Sequence, residues 1–456
     1  MALRKISNLL ILLALPVMLS AQSVRPAKDS VRSYGVLSGE WRTFYMATVN
    51  KDSLKDFQAL ATGGYIRYAY HIRDRFEIAG GLYTSFNLNI QDLEVPDPAT
   101  GRPSRYESGL FDVNDLGDRS VFIIGELYGV YSWKNGHIKA GRMKTKTPFV
   151  NGQDGRMIPT FVQGAYFYHK PVPQLDYTIG IYNEIGPRST GKFFGIGESI
   201  GQYPAGRNPD GSPSRYKDNT QSDFMIMSDV NWRPATNFRV RLVDYHIDNT
   251  FHSFYLNPAF TWKIKDRTFT AQAEWVHEDR VGNGGNENPD LQYFTDKSAN
   301  VLGFELSTRK KTSWRIAYNR ITDNGRFLFP REWGREFLFA FQKRERSEGL
   351  RDAHALLIAV RHDLSLKKDI LTSEFSIGRH WNPDVTNAAA NKYAMPDYTH
   401  FNLDLSYRSE KVKNLYPELL ITYKAARSNV PENPAIYLNK VDMWHFSLVL
   451  NYRFKK

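Results

Sequence analysis

Nine basic residues stand inside segments where polar and apolar side chains alternate: Arg42, Arg67, Lys139, Arg239, Arg241, Arg315, Arg408, Lys424 and Arg453. Most of them fall on the polar face by parity, as Arg239 and Arg241 do in "FRVRLV". A row of guanidinium and ammonium groups on one wet face attracts anions and raises their local concentration. A second charged arrangement lies in "TKTPFVNGQDGRMIPTFVQG" (145–164), where Asp154 and Arg156 stand two apart and Pro159 follows. On an infolded loop, Asp154 and Arg156 would face water at a constriction. Two plainer readings stay open. The in-strand cations can pair with Glu40, Glu77, Asp176, Glu274, Glu374 and Asp404 for structure alone, and 145–164 can be an ordinary surface loop.

Other chemistry has little support. Histidines number 11 and cysteines 0, and no pair has metal-ligand spacing, so neither a metal nor another cofactor is implied. "GNGGN" (282–286) has no following Lys and no helix, so it is a loop and not a phosphate cradle. Ser313 and His354 could be drawn into a hydrolytic triad on paper, which makes a barrel lipase or protease the rival from another class. The net charge of +12 is dispersed rather than clustered, unlike that of a nucleic-acid binder.

The elements that must position these residues are strands. In the terminal "WHFSLVLNYRFKK", Trp444, Phe446, Leu448, Leu450, Tyr452 and Phe454 alternate with His445, Ser447, Val449, Asn451 and Arg453. Alternate side chains of a strand point to opposite faces, so one face is apolar and the other wet. The same period of two recurs in 18 segments, at 36–48, 57–72, 75–90, 119–133, 136–145, 160–170, 174–186, 221–232, 237–248, 251–264, 267–280, 297–309, 312–322, 352–363, 369–380, 398–409, 415–426 and 441–454. A tilted strand of about 9–11 residues crosses a bilayer.

The links alternate too. "IRDR", "KNG", "KPVP", "RPAT", "KDR", "RKK", "LSLKKD" and "SEKVKN" are short, polar and mostly basic. Long links rich in Gly, Asn, Asp and Pro separate them, at 91–118, 187–220, 281–296, 323–351, 381–397 and 427–440. Short turns on one side and long loops on the other predict an all-β, 18-stranded antiparallel transmembrane β-barrel. The apolar face then meets outer-membrane lipid. A soluble sandwich would share the alternation but not the paired link lengths. Residues 1–21, with Arg4 and Lys5 before "LLILLALPVML", read as a secretory signal peptide. Residues 22–35 read as a short leader, too short for a plug, and 36–456 as the barrel of a bacterial outer membrane. Tyr452 and Phe454 form a terminal aromatic pattern that looks like a signal to the outer-membrane assembly machinery.

The loop at 145–164 resembles the third-loop motif of the OprD family of substrate-selective outer-membrane porins. Pro148, Asp154, Arg156, Pro159, Phe161 and Gly164 carry the resemblance. Ile158 stands where the family has Leu, and Phe161 stands one residue early relative to Gly164. "FPREWGREFLFAF" (329–341) is similar to that family's Trp-Gly seventh loop. The resemblance implies an infolded third loop, a pore narrowed by residues 145–159, and passive uptake of small solutes, often carboxylates or amino acids, past a basic ladder. It implies a channel and not an enzyme. Oligosaccharide passage over Tyr83, Tyr166, Tyr182 and Tyr245, or phosphate passage, would also fit the residues.

Overall fold

The computed structural model describes residues 33–152, 155–427 and 430–456. The expected signal peptide, most of the leader and Asp154 lie outside the described residues.

Eighteen antiparallel strands form one closed barrel. They are β1 (Tyr34–Val49), β2 (Phe57–Ile72), β3 (Phe76–Asn87), β4 (Ser120–Trp133), β5 (Gly136–Met143), β6 (Phe161–Val172), β7 (Leu175–Gly186), β8 (Met225–Ala235) and β9 (Phe238–Ile247). They continue with β10 (Phe251–Ile264), β11 (Arg267–Arg280), β12 (Ser298–Arg309), β13 (Thr312–Ile321), β14 (Ala353–Leu366), β15 (Asp369–Trp381), β16 (Tyr398–Arg408), β17 (Leu415–Ala426) and β18 (Met443–Lys455). Each pairs with its neighbours in sequence. The seam closes where β1 meets β18, from Ser38 opposite Lys455 to Val49 opposite Trp444. A further two-residue strand, Phe194–Gly195, adds to the end of β7 from within a long loop.

The alternation in sequence sets these strands, and local hydrogen bonds trim them. β3 stops at Asn87 and not at 90, because the Asn87 carboxamide accepts from the Asn89 N–H at 2.8 Å and Asn89 turns to φ +52°. β8 starts at Met225 and not at 221. Gln221 N donates to Gly285 O at 2.7 Å and Asp223 N to the Asp248 carboxylate at 3.2 Å, so that segment belongs to the loops.

The outer face carries an exposed apolar band that includes Ile66, Ile78, Ile124, Leu127, Ile181, Phe304, Ile358, Phe375 and Leu448. Aromatic chains flank it at both ends. Near the short turns, Phe76, Tyr131, Trp133 and Phe167 touch in series, as do Phe260, Trp262, Phe269 and Trp314. Near the long loops, Phe401, Tyr423, Trp444 and Phe446 do the same. An apolar belt between two aromatic girdles is what a bilayer requires of a barrel wall.

Close approach of backbones constrains β2. At Gly64, φ is +132° and an added Cβ would lie 1.9 Å from the Glu40 carbonyl oxygen. Gly129 on β4 has open space around it. Gly64→Ala should therefore cost roughly 1–3 kcal/mol, read as a lower temperature at which the heat-modifiable gel mobility of the folded barrel is lost. Gly129→Ala should leave that temperature unchanged.

Candidate functional site

A barrel of 18 strands is wide, and here the long loops fill it. The 144–160 loop folds inward against the wall. Phe149 is buried among Tyr245, Tyr255, Phe327 and Phe329, with ring centroids 5.0–6.0 Å apart, and its N–H donates to the Tyr245 hydroxyl at 3.2 Å. Arg42 on β1 donates to the Arg156 carbonyl at 2.6 Å, and Arg241 on β9 donates to the Lys146 carbonyl at 3.1 Å. These wall side chains face the lumen, so their partners lie inside the barrel.

The 322–352 loop folds inward as well, and the wall holds its backbone. Glu274 on β11 accepts from Phe339 N at 2.8 Å, and Asn319 on β13 accepts from Ala340 N at 2.6 Å. Gln342 donates to Ser376 and to the His400 carbonyl. The two loops are then stitched together. Asn151 N donates to Trp333 O at 3.2 Å, and Thr160 donates to Glu332 O at 3.2 Å. Trp333 is fully buried and donates to Ser199 at 2.9 Å, which brings in the 187–224 loop.

Between these loops and the wall lie two cavities, of about 1300 Å³ and 270 Å³. Fourteen Arg and Lys line the larger one among the described residues, against four Asp and Glu. Three of those acids are tied to cations: Asp404 to Lys343, Glu348 to Lys392 at 2.9 Å and Glu345 to Lys424 at 2.5 Å. Burial pushes Arg344 down to about 9, and Arg156 and Arg335 beside it push the same way. Burial and then Arg156 bring Arg335 down to about 10. Lys440 is pushed down to about 7 by burial and by Arg102, Arg105 and Arg207. Burial would raise Glu345, but Lys424 at 2.5 Å and Arg105 outweigh it and hold its carboxyl below the ordinary range. The cations thus crowd one another without enough carboxylates to neutralise them.

All nine in-strand cations stand on the inward side, and most are engaged. Arg42 pairs with Glu40 at 3.0 Å, Arg67 with Glu77 at 2.9 Å, Arg241 with Asp229 at 2.6 Å, Arg315 with Glu305 at 3.6 Å and Arg453 with Glu40 at 2.6 Å. Lys424 pairs with Glu345, Lys139 lies over the Tyr128 ring at 3.4 Å, and Arg239 donates to Gln272 at 3.2 Å. Arg408 is exposed at the short-turn end of β16. Arg42 lines the larger cavity and Arg315 the smaller. Arg156 lines the larger cavity and donates to the Tyr106 carbonyl. Pro159 sits between Ile158 and Thr160, which bond to the 187–224 and 322–352 loops. Tyr452 is exposed on the outer face beside Trp41, and Phe454 covers Gly39.

Several expected partners do other work. Glu274 binds loop backbone and no arginine. Tyr83, Tyr182 and Tyr245 are buried, and neither they nor Tyr166 line either cavity. Ser313 and His354 do not meet: Ser313 bonds Lys310 at one end of β13, while His354 bonds Tyr318 nearer the other. Of the twelve lining cations that sequence reasoning missed, five are on the 322–352 loop: Arg331, Arg335, Lys343, Arg344 and Arg346. The signal was their density in "FPREWGREFLFAFQKRERSEGL" (329–350).

No curated protein sequence matches the chain. Acinetobacter baumannii OccAB4 superposes with a TM-score of 0.67 at 14% identity, over 92% of this chain and 98% of that one. Pseudomonas aeruginosa OccK3 (OpdO) gives 0.65 at 16% identity, over 92% and 96%. Pseudomonas aeruginosa OpdK, solved with vanillate, gives 0.64 at 13% identity, over 92% and 99%. These likenesses carry the fold. Residues 132–348, which include the 144–160 loop and most of the 322–352 loop, match the family model described as outer membrane porin, OprD family. The matched stretch runs from the end of β4 into the inward-folded 322–352 loop.

Proposed function

We propose that this porin passes small anionic solutes, carboxylates and amino acids among them, by passive diffusion through the two loop-lined cavities. One observation carries the reading: among the described residues, fourteen cations against four carboxylates line the cavity of about 1300 Å³. A water-filled space with low-dielectric walls and that charge imbalance concentrates anions and repels cations. Residues 145–159 and the 322–352 loop narrow the path, and Arg42 and Arg156 belong to its lining. Tyr83, Tyr166, Tyr182 and Tyr245 lie outside both cavities while Tyr106, Tyr203 and Tyr393 line the larger one, so the charge imbalance and not the aromatic lining favours anions over sugars.

The purified mature protein in a planar bilayer under a KCl gradient should show small single-channel conductance with a reversal potential on the anion side. A cation-side potential would refute the reading. Arg156→Glu should move the potential towards cations, and an unchanged value would remove Arg156 from the path. The larger cavity should also respond to pH. Lys440 is pushed down to about 7 and faces Arg102, Arg105 and Arg207 with no carboxylate among the groups that shift it. Raising the pH from 6 to 8 removes its positive charge, so anion preference should fall across that interval. Lys440→Met should flatten the step.

A further inference from the structure

Charge is divided unevenly between the two ends of the barrel. The turns 73–75, 134–135, 173–174, 236–237, 265–266, 310–311, 367–368 and 409–414, with the terminal Lys456, make up the short-turn end. Of these twenty-two residues, eleven are Lys or Arg and three are Asp or Glu. The nine links at the long-loop end carry twenty-four Lys and Arg against twenty-eight Asp and Glu. Outside the strands, the positive excess therefore sits on the short-turn rim.

All eleven of these cations are exposed. Among the described residues only one of them, Lys310, is in an ion pair, with Asp266. Asp369, at the edge of the 367–368 turn, accepts from the Tyr407 and Ser409 hydroxyls at 2.5 and 2.9 Å and neutralises no lysine. The cations occupy six of the eight turns and the chain end, in an arc that runs from 265–266 past β18 and β1 to 134–135. The neighbouring turns 173–174 and 236–237 carry none. Exposed apolar side chains accompany the cations. Phe76 follows Arg75, Ile264 precedes Lys265, Leu366 precedes Lys367, and Val412 stands between Lys411 and Lys413. Phe76 belongs to the aromatic girdle, and Ile264 continues the outward row of Phe260 and Trp262. Apolar groups at this level meet acyl chains, while the long stems of Lys and Arg carry their charges past them to the headgroups.

We propose that the short-turn rim is a binding surface for the anionic headgroups of phospholipids in the periplasmic leaflet. The short turns of an outer-membrane barrel face the periplasm. A Lys or Arg close to an anionic lipid surface favours it about fivefold. The pairing of each cation with an exposed apolar neighbour is what selects lipid as the partner. A soluble acidic protein docked beneath the mouth would use the charges and leave Ile264, Leu366 and Val412 unmatched. Two uncharged turns side by side make the collar incomplete, so anionic lipid gathers along the β10–β5 arc and not along β6–β9. This surface lies on the rim and not in the loop-lined cavities, so it is separate from the passage of solutes.

The test uses the purified mature barrel in detergent micelles that hold equal amounts of phosphatidylglycerol and phosphatidylcholine. Lipid retained through gel filtration is counted by mass spectrometry. At low salt, wild type should retain phosphatidylglycerol over phosphatidylcholine by about fivefold or more. The preference should fall towards one at about 1 M NaCl, where the Debye length is about 3 Å. Lys310→Gln, Lys311→Gln, Lys367→Gln and Lys368→Gln, combined, should lower the low-salt preference by about twofold or more. A matched control at the long-loop end, Lys51→Gln with Arg119→Gln, Lys192→Gln and Lys297→Gln, should keep the wild-type preference. Equal retention of the two lipids by wild type would overturn the proposal. So would a preference that the turn variant keeps, or that both variants lose alike. Poly-glutamate binding by a wild type without lipid preference would assign the rim to an acidic polymer and overturn the lipid reading. If the turn variant lacks the heat-modifiable mobility of a folded barrel, the salt dependence of wild type decides alone, and a preference unchanged at high salt would overturn the proposal.

Discussion

A bilayer core offers no hydrogen bonds, so every backbone group that crosses it must find a partner within the protein. The seam between β1 and β18 is how this chain meets that demand, and the rest of the molecule follows from it. A closed sheet of 18 strands leaves a lumen too wide for side chains to fill. Loops that enter that lumen bring their own peptide groups, which need partners in turn. The wall supplies them with carboxylates and amides. Glu274 and Asn319 each accept from a backbone N–H of the 322–352 loop, and each also bonds the other at 2.6 Å. Residues that might have neutralised a cation are spent on the loop backbone instead.

That allocation shapes the field inside the barrel. Wall cations sit opposite wall acids, as Arg241 does with Asp229 and Arg453 with Glu40, and their charges largely cancel. Cations around the larger cavity are satisfied differently. Arg102, Arg105 and Arg346 donate to backbone carbonyls, and Lys440 donates to three of them. A carbonyl satisfies the hydrogen bond without removing the charge. The wall is therefore nearly neutral in pairs while the loop-lined space stays positive. Burying such cations in a dry core would cost several kcal/mol each. Around a hydrated cavity that penalty is reduced, and the uncompensated charge is available to solutes.

The wall was legible in the sequence because lipid enforces one rule at every residue. β2, β10, β11 and β17 begin and end at the expected positions. Where a bound moved, a local bond had overruled the alternation, as Asn87 does at the end of β3. The lumen was legible only in part. Parity places the in-strand cations on the inward side, but it is blind to their partners across the barrel. Arg42, for example, meets Arg156, far away in sequence. Loop residues carry no period at all. Nothing near Phe339 shows that its N–H will be claimed by Glu274, and nothing near Arg335 shows that Asn151 will clamp it. The motif at 145–164 pointed to one of the two loops that fold inward, while Arg331, Arg335, Lys343, Arg344 and Arg346 stand on the other.

This separation between wall and loop has a functional consequence. The bonds that hold Arg335 in place involve its backbone and the Asn151 side chain, and none involves its own guanidinium. The element that fixes the position is thus independent of the charged group that the residue carries. A different side chain at this position would keep the clamp, the stitched loops and the barrel seam, while the charge lining both cavities changed. The wall cations lack that freedom. Removing Lys424, which is fully buried against Glu345, would leave an uncompensated carboxylate inside the barrel. In this architecture the side chains with the least structural duty thus stand on loops positioned through their backbones, inside a wall whose own charges are already committed.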